Sequence, residues 1–201
     1  MTDTRCKIEN DVLYTCLTPP VRGAKDRVLI IPKRGISGYD LDTTNPLIIE
    51  AINRYLNAGE TAYEVRAFEY VGEGKILSPN NQLVEDDFGV RFLHELEFHV
   101  SGVTPAKKWE LTKLSRETEG VVVILIQNYK DPDGKSKYLV LGRDVGLFVK
   151  EMADEEGRNI YRVLLGSKDD FEEPFPPSNL FDTDETATDA LVAALLSTDL
   201  P

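Results

Sequence analysis

Apolar positions along this chain favour strands over helices, and the strongest pattern lies near the middle. Residues 121–126 read Val-Val-Val-Ile-Leu-Ile, an uninterrupted apolar run of mostly β-branched side chains, which pack well on a pleated sheet. A second apolar run at 138–141 follows Asp-Pro-Asp-Gly at 131–134, which supplies the fixed φ of proline and the positive φ of glycine that a reversal needs. The pattern predicts a long hairpin, with residues 121–128 buried on both faces and 138–141 returning beside them.

A strict alternation of apolar and polar residues at 92–100 predicts a half-buried antiparallel strand. His94 belongs to its apolar set, whereas His99 projects from the opposite side, so the two cannot share a metal ion. We interpret His94 as a packed core residue rather than a catalytic one. The same reasoning predicts further strands at 27–32, 63–70 and 160–165, and polar loops at 34–45 and 72–87. Residues 46–55 could form a strand or one turn of helix, and their β-branched side chains and initial proline favour the strand.

One helix is predicted in the body, over about residues 105–118. Thr104 is a good cap, Pro105 suits the first helical position, and Gly120 ends the segment. Trp109, with Leu111 and Leu114, is expected to form the apolar stripe that packs on the sheet.

The composition changes after Lys168, where no Lys or Arg follows and nine acids lie in residues 169–201. Prolines interrupt residues 174–177, and residues 184–197 then predict a short helix. The sequence therefore divides into an N-terminal lead (1–25), a β body (26–168), and an acidic C-terminal linker with a short helix (169–201). The helix carries an apolar stripe of Leu191, Val192, Leu195 and Leu196. This stripe either folds back on the body or docks on a neighbouring subunit as an assembly interface.

Charge and motifs exclude several functions. The net charge is −12, and the acidic C-terminal segment supplies most of the excess, so we expect no direct nucleic-acid binding. Neither a signal peptide nor a membrane-spanning run is predicted. The turn at 131–135 lacks the ligands of a calcium loop, and Cys6 and Cys16 are expected to be thiols. Without a nucleophile turn, a metal motif or a dinucleotide fingerprint, we expect no enzyme, no metal and no cofactor. An unmarked pair of carboxylates stays open as a third possibility.

Many strands with a single helix between them predict a mainly β (α+β) fold. The sheet is expected to be antiparallel or mixed, in a barrel or a sandwich, with one flanking α-helix and a C-terminal arm.

Short sequence blocks between residues 25 and 175 carry a resemblance to a known family. They include Arg-Val-Leu-Ile-Ile-Pro-Lys at 27–33, Thr-Asn-Pro-Leu-Ile-Ile at 44–49, Glu-Thr-Ala-Tyr-Glu-Val at 60–65, Asp-Asp-Phe-Gly at 86–89 before His-Glu-Leu at 94–96, Gly-Val-Val-Val at 120–123, Tyr-Leu-Val-Leu-Gly at 138–142, and Asp-Val-Gly-Leu at 144–147. In these blocks the chain resembles virion structural proteins of tailed phages and prophages of Bacteroidota, including crAss-like phages.

The resemblance implies a structural virion protein that assembles as a ring or tube in the tail or the head-to-tail neck. It also implies a tail-tube-like β-barrel with a flanking helix. Its partners would be copies of itself and neighbouring virion proteins, after synthesis in the host cytoplasm. The alternative is a cytosolic β-barrel binding module that holds a small ligand or a host protein.

Overall fold

The computed structural model describes residues 24–54, 67–71, 78–86, 89–101, 104–128, 131–155, 160–168 and 172–197. In these ranges the chain forms eleven strands, two α-helices and one 3₁₀ turn at Lys33–Gly35. The strands are β1 (Ala24–Pro32), β2 (Ile36–Leu41), β3 (Ile48–Arg54), β4 (Phe68–Val71), β5 (Ser78–Asp86), β6 (Gly89–Ser101), β7 (Val121–Gln127), β8 (Tyr138–Leu141), β9 (Leu147–Glu155), β10 (Ile160–Ser167) and β11 (Ser178–Leu180). The helices are α1 (Pro105–Ser115) and α2 (Glu185–Leu196). Most of the N-terminal lead, including Cys6 and Cys16, and the predicted strand residues 63–66 lie outside the described residues.

The strands form two packed layers that are joined at a corner. In the first layer the order is β4-β1-β7-β8-β11-β3-β2, and in the second it is β9-β10-β6-β5. The layers connect where Val121 of β7 pairs with Leu147, the first residue of β9. Among the strands of the described ranges, β11–β3 is the one parallel pair. The mainly β prediction is therefore confirmed, with a mixed sheet.

The predicted barrel, including the tail-tube-like form of it, is wrong, because across the described residues the sheet does not close. In this part of the chain β5 pairs only with β6, and β2 pairs only with β3. The two layers instead bury their facing surfaces against each other, which is the sandwich alternative.

The predicted central hairpin is confirmed as β7 and β8, but the burial predicted for 121–128 ends at Ile126, because Gln127 is half-buried and Asn128 is exposed. Every residue from Val121 to Ile126 is at most 8% exposed, because β1 and β8 flank β7 in the sheet and both of its faces are covered. Alternate residues contribute to two different apolar clusters. The first cluster lies between the two layers, and the second lies under α2. In the turn, the Gly134 N–H donates to the Asp131 carbonyl at 3.0 Å, and Gly134 has φ +76°.

Helix α1 begins as predicted but does not pack through Trp109. The Thr104 side chain accepts from the Lys107 N–H at 3.3 Å, and the helix ends at Ser115. Trp109 is 56% exposed, whereas Leu111 is 1% exposed and Leu114 packs beside it. Successive helical residues are about 100° apart, so Trp109 lies roughly 160° around the helix from Leu111. One stripe cannot include both, and the sheet binds the leucines.

The C-terminal segment belongs to the body rather than forming an arm. β11 lies between β3 and β8 in the first layer. The predicted second helix is confirmed as α2, capped by the Asp184 side chain, which accepts from the Ala187 N–H at 2.8 Å. Lys137 at the hairpin turn donates to Glu185 at 2.9 Å and to Asp189 at 2.7 Å, so ion pairs as well as apolar contacts hold the helix.

Two strands lie where polar loops were predicted. β2 pairs with β3 and β5 pairs with β6, each at an edge of the sheet. Residues 81–83 and 85 of β5 are exposed. A strand whose side chains are mostly exposed shows no alternation of apolar and polar residues in its sequence. The loop predictions at 34–45 and 72–87 are therefore wrong where β2 and β5 lie.

Candidate assembly surfaces

The β5–β6 hairpin extends beyond the layer to which it belongs. β6 has 13 residues, but β10 pairs with it only from Glu95 to Ser101. Toward the start of β6, Phe92 and Glu173 exchange two backbone hydrogen bonds of 2.8 and 3.0 Å. Beyond Phe92, β5 is the only sheet partner that the described residues offer to β6. At about 3.3 Å per residue, the strand continues roughly 20 Å from Glu95 to Gly89.

The projecting part of the hairpin carries exposed apolar side chains on one face. Leu83 is 61% exposed and Val90 is 51% exposed. Leu83 is opposite Phe92, and Glu85 is opposite Val90. Cross-strand partners share a face, so Leu83 and Val90 are diagonal neighbours on the face from which His94 enters the core. The hairpin thus continues the apolar face of β6 past the end of the core. We call this surface, defined by Leu83, Glu85 and Val90, the hairpin tip.

His94 anchors the base of the hairpin. It is 2% exposed, and its Nδ1 accepts from the Gly142 N–H at 3.2 Å. Its own backbone N–H donates to the Ser167 Oγ at 3.1 Å. Burial lowers the pKa of His94 to about 4, against the opposing effects of the Phe175 carbonyl and Asp144. The imidazole is therefore neutral at pH 7, and the predicted role as a packed core residue is confirmed.

Glu173 holds the corner between the layers. It is 1% exposed, and its carboxylate accepts from the N–H groups of Asp144 at 2.9 Å, Val145 at 2.8 Å and Gly146 at 3.1 Å. Burial raises the pKa of Glu173, while these three donors act in the opposite direction. Gly142 and Gly146 lie at the two ends of the turn between β8 and β9, with φ of +73° and +95°. Glu173 thus pairs with the hairpin through its backbone and holds the corner through its side chain.

Arg143 extends this cluster to the first layer. It is 5% exposed, and its Nη1 donates to the Pro46 carbonyl at 2.7 Å and to the Ser178 Oγ at 3.1 Å. Its guanidinium carbon lies 5.0 Å from the centre of the Phe175 ring. The Tyr39 hydroxyl donates to the Arg143 carbonyl at 3.1 Å, and burial raises the pKa of Tyr39. These polar groups bind one another and the backbone, and so connect the hairpin base, the corner and the C-terminal segment.

A groove of about 480 Å³ lies where the 3₁₀ turn meets the start of β9 and the end of β10. We call it the basic groove; it is lined by Lys33, Arg34, Ile36, Thr118, Glu119, Val145, Phe148 and Lys168. Three of these residues are bases and one is an acid. Lys33 Nζ donates to the Asp144 carbonyl, and Lys168 Nζ lies 5.9 Å from the centre of the Phe148 ring. The groove combines positive charge with apolar side chains.

A separate cleft lies between α1 and the β1–β4 side of the first layer. It has a volume of about 250 Å³ and adjoins a second space of about 670 Å³; Phe68, Tyr70 and Glu110 line both. Its charged rim includes Lys113, 2.8 Å from Glu110, and Glu117, which pairs with Arg34. Because the rim carries both signs, charge selects no ionic ligand, and the apolar walls suit a neutral molecule.

The stripe that the sequence marked as an assembly interface lies against the chain's own core. Val192 is 6% exposed and Leu195 is 3% exposed, and Leu191 and Leu196 pack beside them. The structure therefore shows the folding-back alternative, and these side chains are not a free surface. Sequence reasoning missed the hairpin tip. The only signal in the sequence was two apolar residues, Leu83 and Val90, seven positions apart.

Among the described residues, no group of three or more His, Cys, Asp or Glu side chains is placed to hold a metal ion. None of the helices in those ranges has the length and apolarity to cross a membrane.

Comparison with known proteins returned no relative: no family model, no curated protein and no solved structure matches the chain.

Proposed function

We propose that this chain is a structural subunit of a tailed-phage virion that assembles as a ring or tube in the tail or the head-to-tail neck. The observation that carries the proposal is the hairpin tip, which presents exposed apolar side chains beyond the body of the subunit. Leu83 and Val90 are more than half exposed. Apolar side chains grouped on a projecting element are typical of a surface that another protein covers.

The anchoring of the hairpin supports the same function. A subunit that works by shape must hold its contact surface in a fixed position. The base of the hairpin is held by His94, by the Phe92–Glu173 backbone pair and by a 3.5 Å ion pair between Arg91 and Glu172. The buried polar groups thus position the hairpin, and the sequence blocks between residues 25 and 175 add the resemblance to virion proteins.

The assembly state of the purified full chain tests this proposal. Native mass spectrometry and light scattering after size-exclusion chromatography should give a closed oligomer or a tube, which negative-stain images would show as rings or stacked rings. A monomer at every concentration up to about 1 mM, both alone and mixed with the neighbouring virion proteins, would overturn it.

A second candidate function is binding of a small neutral ligand, which the apolar cleft beside α1 favours. A ligand-binding module would stay monomeric, and an apolar ligand would raise its melting temperature. Leu114→Trp would partly fill the cleft and should abolish that shift. The same variant should leave ring assembly unchanged, so the two functions are separable.

A further inference from the structure

The hairpin tip and the basic groove lie at opposite edges of the second layer. The strand order β9-β10-β6-β5 places the hairpin at one edge, and the groove residue Phe148 lies on β9 at the other. The strands β10 and β6, which pair from Glu95 to Ser101 of β6, connect these edges. The two surfaces are therefore held at a fixed separation by the sheet.

The two surfaces also face opposite ways. Phe148 pairs with Gly166, and Gly166 pairs with Glu95, so Phe148 projects from the same face as Glu95. Val90 and Leu83 project from the face of His94, which neighbours Glu95 on β6 and therefore points to the other side. A hairpin held in this register cannot reach the basic groove of its own chain. Any contact between the two surfaces joins different molecules.

The two surfaces are complementary in charge and in polarity. The hairpin tip combines the apolar Leu83 and Val90 with the acidic Glu85 on the same face. Three bases and one acid line the basic groove, together with apolar side chains of Ile36, Val145 and Phe148. Opposite charges around an apolar contact fix the register of two partners and disfavour wrong ones.

We propose that the partner of the hairpin is a second copy of this chain, and that the hairpin tip of one copy docks in the basic groove of the next. This inference rests on the proposed function, since it names the contact by which the subunits assemble. One surface binds a different surface, so the interface is heterologous. Repetition of such a contact generates a ring where the rotation closes and an open helical filament where it does not.

Charge reversal tests the pairing. Glu85→Lys and Lys168→Glu should each raise the apparent Kd for assembly at least tenfold, and the double variant should recover most of that loss, because it restores opposite charges across the contact. Lys150→Glu, an exposed change on β9 outside the groove lining, is the matched control and should assemble as the wild type does. A double variant that is no better than the worse single variant contradicts the pairing.

Disulfide trapping between two chains tests the geometry. In a background with Cys6→Ser and Cys16→Ser, one chain carries Leu83→Cys and the other carries Lys168→Cys. Mixing the two under oxidising conditions should give the mixed dimer in at least fivefold excess over either homodimer. Trp109→Cys replaces Leu83→Cys as the control, because Trp109 is exposed but lies in neither surface, and should give only background cross-linking. Melting curves of each variant confirm that it is folded.

The outcomes separate this inference from the proposed function. A wild-type chain that never assembles overturns both. A wild-type ring with unchanged assembly of Glu85→Lys and Lys168→Glu overturns the inference and leaves the proposed function standing. Preferential Leu83→Cys homodimers would also overturn it, because they indicate that two hairpins meet each other.

Discussion

The histidine at the base of the hairpin should make the free energy of unfolding depend on pH between about 4 and 6.5. His94 has an ordinary pKa of 6.5 when exposed, and burial lowers it to about 4 in the folded chain. Between these values the unfolded chain binds a proton that the native chain does not. Stability therefore falls as the pH falls through this window, and below about pH 4 the group adds no further loss.

The expected magnitude follows from the two pKa values. A tenfold change in a proton-binding constant corresponds to about 1.4 kcal/mol, and linkage from pH 7 to pH 5 gives a loss of about 2 kcal/mol. His94→Asn removes the titrating group, while its amide oxygen can accept the Gly142 N–H in place of Nδ1. We expect the variant to be less stable than the wild type at pH 7 but to lose about 2 kcal/mol less between pH 7 and pH 5. The other titrating groups cancel in this comparison.

Urea unfolding at the two pH values measures this difference directly, and the melting temperature should show it as about 4–8 °C. His99→Asn is the matched control, since the chain has two histidines and His99 lies on the other side of the strand. The His99→Asn variant should lose as much unfolding free energy between pH 7 and pH 5 as the wild type does. If His94→Asn loses as much stability on acidification as the wild type does, the imidazole is not buried in its neutral form and the account of the hairpin base is wrong.

The remaining predictions concern the two helices. Leu111→Ala should cost about 2–5 kcal/mol in urea unfolding, because Leu111 is 1% exposed in the first apolar cluster, whereas Trp109→Ala should change stability by about 0.5 kcal/mol or less. Equal losses for the two would place the packed face of α1 elsewhere. Val192→Asp should destabilise the chain by several kcal/mol, since it buries an unpaired charge, while Ala193→Asp on the exposed face of the same helix should be tolerated. If thermal melts show similar losses for both, α2 does not dock on this core.

The amino-acid sequence by itself determined the elements whose signal is local. The run at 121–126 is apolar at every position, which suits a strand that is covered on both faces, and β7 is such a strand. The alternation predicted for 92–100 matches the burial of β6 at every residue from His94 to Val100. Thr104 and Asp184 cap the helices that follow them, because a cap depends only on residues two or three positions away.

The tertiary structure decided which apolar residues are covered. Trp109 and Leu111 both suit a helix, and only the position of the sheet selects Leu111 as the packed residue. The edge strands β2 and β5 exist because a neighbouring strand offers backbone partners, and their own sequences are too polar to predict them. From its sequence alone, the C-terminal helix could pack on its own chain or on a neighbouring subunit. Because β11 pairs with β3 and β8 just before the helix begins, the helix is placed against the core of its own chain.

The same division holds for the candidate surfaces. Leu83 and Val90 are only seven positions apart in the sequence and lie on strands that pair directly, so the hairpin tip is a local feature that the sequence contains. The basic groove is not a local feature of the sequence. Lys33 and Lys168 are more than 100 residues apart, and they meet with Phe148 only when the corner at 142–146 folds one layer onto the other. Pairing between distant strands depends on the burial of both partners together, and no single stretch of the chain encodes it.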